Sequence, residues 1–177
     1  VAVQSPAGLF TWNGEGGAVA SVQLIPQIHR LMEQAGLGFQ DLRAIAFGGG
    51  PGSFTGLRTA CAVAQGLALG AALPVLPVDS LCIVAEDVRV AQADAWPGAA
   101  APPVHVAMDA RMGEAYAGAY AWAGERWLVR VAPALYTLDA LNAAWAAVPP
   151  RCIAGSALAA FGERLCSGDA LRLEHGF

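Results

Sequence analysis

Between Phe47 and Gly70 the chain reads FGGGPGSFTGLRTACAVAQGLALG, and this stretch limits the fold more than any other. A short apolar strand, RAIAF (43–47), runs into four glycines and a proline before a segment of helical composition begins. Gly48, Gly49, Gly50, Pro51 and Gly52 force a sharp strand-to-helix reversal, because glycine admits positive φ and proline interrupts pairing. Ser53 and Thr55 can cap the helix beyond. A helix start of this kind leaves free amides that attract anions. The loop therefore either cradles a phosphate or sets the direction of its helix.

Both standard phosphate motifs fail. A Walker A loop needs two glycines five positions apart, then a lysine and a hydroxyl residue. The glycines at 48, 49, 50, 52 and 56 include no such pair, and all ten basic residues of the chain are arginine. The dinucleotide fingerprint fails too, since Ser53 stands where its third glycine belongs. The helix is more informative. GLRTACAVAQGLAL (56–69) has only Arg58 and Gln65 as strongly polar side chains, and Ala60, Ala62, Ala64, Gly66 and Ala68 keep its surface low. A helix apolar nearly all round is covered by something, and small residues allow close approach. It is either core or a subunit interface.

Other segments place this unit in an α/β chain. VAVQ and GLFTW read as a hairpin. SVQLIPQIHRLMEQA (21–35) has one apolar face at Val22, Ile25, Ile28, Leu31, Met32 and Ala35, with Pro26 as a kink and Gly36 as the stop. A strand at 74–78 and a helix from Asp79 or Ser80 to Gln92 come after the glycine loop. ADAWPGAAAPP (93–103) reads as a connector. Then come a meander, VHVAMDA (104–110), EAYAGAYAW (114–122) and RWLVRVA (126–132), a helix near 138–145, a strand at 151–156 and a helix near 157–165. This predicts two lobes, residues 1–95 and 96–177. Hydrophobic residues make up 56% of the chain, ample for a core, and the formal charge of −4 argues against gripping nucleic acid directly. The scattered Trp12, Trp96, Trp122, Trp127 and Trp145 form no stacking platform for bases. Cys61, Cys82, Cys152 and Cys166 form no CxxC pair, and the longest apolar run is broken by glycine and proline. The expectation is a cytoplasmic protein without a membrane span.

The run AIAFGGGPGSFTGLRTACAVAQGLALGAALPVLPVDSL, followed by AMDARMGEAYAGAY, resembles the TsaB (YeaZ) family, with weaker similarity at ASVQLIPQI and PALYTLDAL. The resemblance covers most of the chain. It implies an actin-like, Hsp70-like ATPase fold of two ribonuclease-H-like lobes. It also implies a non-catalytic subunit that binds TsaD and supports threonylcarbamoyl transfer to adenosine 37 of tRNA. Its partners would be TsaD in a heterodimer, the ATPase TsaE, and a second copy when alone, with tRNA met only through the complex. The pairing surface would be the two helices Ser21–Ala35 and Gly56–Leu69. Interface candidates are Leu24, Ile28, Leu31, Leu57, Arg58, Ala60, Cys61, Ala64 and Gln65, with Gly50, Pro51, Gly52, Ser53, Phe54, Thr55 and Gly56 orienting the second helix.

Against the family pattern, an Asp-Thr-Ser strand is absent ahead of VAV, and the family continues past Phe177, so the chain reads as shortened at both ends. Gly49 stands where the family often has arginine and Ala20 where it often has histidine. No resident cofactor is implied; ATP or ADP would belong to the interface of the complex. Asp109 and Arg111, at the end of a strand, suggest a cleft position or a pair that orders a turn. The rival readings are a nucleotide-dependent hydrolase or glycoprotease-like peptidase, and a homodimeric scaffold. The peptidase reading lacks a paired-histidine zinc motif, because His29, His105 and His175 are far apart. Ser53 lacks the GxSxG elbow of a nucleophile. The expectation is therefore neither a metal nor a catalytic residue.

Overall fold

The chain begins by folding back on itself: β1 (Ala2–Ser5) and β2 (Gly8–Thr11) pair antiparallel, Ala2 opposite Thr11. The Ser5 hydroxyl accepts the Ala7 amide across the turn at 3.1 Å. The structure is a computed structural model and describes residues 1–14, 18–96 and 101–174, with side chains of the first helix from residue 22 onward. The side chain of Ala20, residues 97–100 of the expected connector, and His175 lie outside the described residues.

Helix α1 (Ala18–Ala35) runs on through Pro26 and stops where Gly36 takes φ 66°, with the Leu37 amide donated to Met32 O at 3.0 Å. Its Leu31 and Met32 pack on Val3, with Phe10, Trp12, Ile28 and Phe39 around them. A second pair of strands, β3 (Ile45–Gly50) and β4 (Val75–Asp79), is joined by α2 (Phe54–Ala71). Helix α2 outruns its expected end. Gly70 lies inside it, and the terminator is Ala72 in the left-handed region at φ 54°.

Chain contacts divide the molecule into two units, residues 1–49 with 53–78, and 50–52 with 79 onward. The division falls ahead of α3 (Ser80–Ala91), whereas the connector suggests one behind it. Leu81, Val84, Ala85 and Val88 of α3 recur at helical spacing and are sealed against the second sheet. Burying one such aliphatic side chain stabilises by about 1.5–3 kcal/mol, so α3 belongs with the sheet it covers.

That sheet contains β5 (Val104–Arg111), β6 (Glu114–Trp122), β7 (Trp127–Thr137), β8 (Cys152–Ala154) and β9 (Leu171–Leu173), in the order β7-β6-β5-β8-β9. The meander β5–β6–β7 is antiparallel, whereas β8 and β9 add on in parallel. Side-chain alternation sends Val104 and Val106, with Tyr120 and Cys152, to the α3 face. Ala107, Ala115, Ala117 and Ile153 point the other way, onto α4 (Leu138–Ala147) and α5 (Ala157–Phe161). The second unit is thus a helix–sheet–helix sandwich.

Three polar devices hold it in register. Asp79 Oδ1 accepts the amides of Leu81 and Cys82 and caps α3, while its Oδ2 accepts the Tyr120 hydroxyl at 2.6 Å. Glu86 accepts Arg89 in a bidentate pair and the Trp127 indole N–H at 3.0 Å; these bonds, the one from Arg89 foremost, hold its carboxyl below the usual range. Asn142 on α4 accepts the Cys166 amide and donates to the Arg164 carbonyl, anchoring the chain beyond α5.

Candidate functional site

The glycine loop places its one conformational demand at Gly50, which has φ 99° and is followed by a cis Gly50–Pro51 bond. Gly48 and Gly49 continue β3 instead of turning. A Cβ on Gly49 would lie 3.1 Å from that of Pro77 on β4, so the strand pair tolerates little bulk there. Ser53 is the N-cap as expected, its hydroxyl accepting the Gly56 amide at 3.5 Å, and Thr55 is already inside the helix. Gly56 needs no special backbone, and an added Cβ there would make ordinary contact with Ser53.

Phe54 opens α2 with 68% of its surface exposed, and the Arg58 guanidinium lies 3.8 Å over its ring. Arg58 is the single basic residue of the loop and first turns. Ser53 is engaged by the Gly56 amide, and Arg58 lies on an aromatic face.

Helix α2 buries one narrow line, Ala64 and Ala68. Leu57, Ala60 and Cys61 are half-buried beside that line. The opposite side is open: Arg58, Ala62, Gln65, Gly66 and Leu69 stand at helical spacing, and Leu69 is 85% exposed. Gly66 and Gly70 are unexplained within the chain, because an added Cβ would meet nothing within 4 Å at either. Together with Leu67, Ala71, Phe39 and Gln40 they line a shallow groove.

The nine interface candidates therefore separate. Arg58 and Gln65 lie on the open face of α2. Ala64 is 4% exposed and Leu31 only 2%, so both are covered by the chain itself, Leu31 within the hairpin cluster. On α1 the face read as interface is the one that packs on the β1–β2 hairpin: Ile28 joins that cluster, and Leu24 is half-buried. The exposed apolar side chains of α1 are instead Val22 and Ile25. Val22, Ile25, Gly66 and Leu69 are exposed yet stand outside the nine interface candidates. Their signal is the helical phase relative to the hairpin, which an isolated sequence does not reveal.

Asp109 and Arg111 belong to the β5–β6 turn. Asp109 Oδ1 accepts the Arg111 amide at 2.9 Å, and its own amide is donated to Ser156 Oγ. Arg111 and Met112 sit at φ 65° and 54°, and Gly113 at 78°, which makes a tight hairpin tip. Asp109 orders the turn through a backbone amide and not through an ion pair. Among the described residues no three His, Cys, Asp or Glu side chains gather as metal ligands.

A family model described as TsaD, tRNA N6-adenosine threonylcarbamoyltransferase, matches residues 19–157. The tRNA threonylcarbamoyladenosine biosynthesis protein TsaB of Escherichia coli K12 is 41% identical over 98 residues, and that of Haemophilus influenzae 43% over 94. The fold agrees: YeaZ from Pseudomonas aeruginosa superposes with a TM-score of 0.80 at 29% identity, over 99% of this chain and 78% of that one. The chain belongs to the TsaB/YeaZ family. The aligned part amounts to 55% of this TsaB-family chain but 39% of the E. coli protein, and to 53% and 37% in the H. influenzae case. A further P. aeruginosa structure, TM-score 0.84 at 29% identity over 99% of this chain and 78% of that one, is described as similar to peptidase YeaZ. A threonylcarbamoyltransferase from Cereibacter sphaeroides is 39% identical over 70 residues, 40% of this chain and 19% of that protein. No helix among the described residues is long and apolar enough to cross a membrane.

Proposed function

We propose that this chain is a non-catalytic subunit that docks on a TsaD-type enzyme through α2 and supports threonylcarbamoyl transfer to adenosine 37 of tRNA. The observation that carries the reading is the open face of α2. Glycine inside a helix costs about 1 kcal/mol relative to alanine, and nothing in the first unit needs Gly66 or Gly70. A partner's backbone arriving closely over Gly66, Gly70 and the exposed Leu69 accounts for all three. Val22 and Ile25 would extend the same contact from α1. An actin-like fold, TsaE as a further partner, a homodimer in the absence of TsaD, and any ATP or ADP held where subunits meet belong to the same proposal. The composition, with formal charge −4, suits contact with tRNA through the complex.

Light scattering after size exclusion, on the protein alone and mixed with TsaD from the same genome, tests it. A one-to-one complex is expected. Leu69→Glu with Gly66→Leu should weaken it at least about 100-fold while the far-UV spectrum stays unchanged. Ala64→Glu should unfold the first unit instead, because that side chain is buried. A complex indifferent to the Leu69 and Gly66 changes, or a protein that ignores TsaD yet hydrolyses a nucleotide, overturns the proposal.

A further inference from the structure

Between α4 and the outer face of β5–β7, within the second unit, lies a half-open cavity of about 240 Å³, with Val131, Ala144 and Val148 exposed along its rim. It is larger than the roughly 150 Å³ apolar cavities known to admit benzene. Its emptiness has a local cause. Ala117 on β6 and Ala144 on α4 are small where their neighbours Leu141 and Trp145 are large. The β6–β7 pairing also slips on either side of Ala119, which leaves that part of β7 irregular. Val148, 69% exposed, stands at the mouth.

Among the described residues the lining is aromatic and aliphatic, its polar side-chain groups are the Tyr136 hydroxyl and the His105 imidazole, and no carboxylate or arginine takes part. Its one imidazole is His105, edge-on to Trp145 with centroids 6.4 Å apart. Burial alone pushes this ring below its ordinary pKa, so it is neutral at pH 7 and offers one N–H donor and one acceptor. A site with those walls selects against charge, since nothing compensates the loss of an ion's hydration. It selects for flat apolar surface with a single polar atom.

We propose that this cavity is a binding site for a small uncharged aromatic molecule with one hydroxyl or N–H group. The ring is seated between Tyr136, Trp145 and Val148, and the polar atom is placed at His105. No residue of α2 lines the site, so the proposal does not depend on docking to TsaD.

Indole is the probe, titrated into the whole protein while the His105 and Trp145 ring signals are followed by NMR. Saturable shifts with a Kd of about 1 mM or tighter are expected. Benzoate, an anion of similar size, should bind at least about tenfold more weakly. Ala144→Leu fills the cavity from the helix, and Val148→Glu puts a charge at its mouth. Each should weaken indole at least about tenfold with the melting curve unchanged. His105→Phe should weaken indole but leave toluene unaffected. No saturable shift, indole binding that survives both Ala144→Leu and Val148→Glu, or benzoate binding as tightly as indole overturns the proposal.

Discussion

Gly155→Ala is expected to destabilise the second unit by about 3–5 kcal/mol and to lower its melting temperature by at least about 12 °C. Gly155 follows β8 at φ 116°, a region that side chains other than hydrogen avoid. An added Cβ would also collide with the Ala107 carbonyl oxygen of β5, a backbone atom that no rotamer change can move aside. Strain and collision act together, because the same tight turn brings α5 down onto Ala107 and Ile153. Thermal unfolding followed by circular dichroism measures it. A loss below about 1 kcal/mol would show that the turn can relax and that β5 is not in its path.

Asp79→Ala should cost about 2–4 kcal/mol, the second large effect. The change removes an N-cap worth about 1 kcal/mol and leaves the buried Tyr120 hydroxyl without its acceptor, a further 1–3 kcal/mol. Asp79→Asn keeps an oxygen for the α3 amides and should lose about half as much. A double-mutant cycle with Tyr120→Phe should give a coupling of about 1.5 kcal/mol, and additive losses would sink the pairing. The same hydrogen bond has an alkaline signature. Burial first, then the Asp79 carboxylate, hold the Tyr120 phenol far above its usual pKa. The unfolded chain gives up that proton near pH 10 and the folded one does not. Stability contributed by the protonated phenol is therefore complete below pH 10 and is lost as pH rises beyond it, by about 1.4 kcal/mol per pH unit. Burial likewise pushes the Cys152 thiol from 9.0 to about 11, which opens a lower window between those values. Tyr120→Phe should flatten the alkaline limb above pH 10, and Cys152→Ala the part from 9 to 11.

Much of the element order is legible in the sequence because it rests on local chemistry. Gly36 ends α1, Ser53 and Asp79 cap their helices, and alternation marks β5 and β6. The misreadings share one cause, which is that the missing information lies in the partner of each element. Leu31 and Leu69 are both leucines on apolar helices, yet one is sealed by the hairpin and the other faces water. No periodicity distinguishes a face that its own chain covers from one left open. The proline-rich connector after α3 looks like a boundary and would leave that helix in the first lobe. Its place is decided by Val104, Val106, Tyr120 and Cys152, which lie beyond that connector. Strand β9 is three residues with no pattern of their own, and only pairing with β8 makes them a strand. At the glycine loop the spacing departs from the Walker motif. It does not show that Gly50 alone carries the backbone demand, or that Gly66 and Gly70 face open space.

The β5–β6 tip has a consequence for how the molecule ages. Met112 is lifted into solvent, 96% exposed, while Met32 is sealed between α1 and the hairpin at 4% and Met108 is half-buried against the second core. Peroxide should therefore convert Met112 to its sulfoxide well before the other two. Nothing packs on that sulfur, so the oxidised molecule should keep its fold and melt like the fresh one. Peptide mapping after mild oxidation would then read out which thioethers the structure shields, and rapid oxidation of Met32 would mean that α1 lifts off its hairpin.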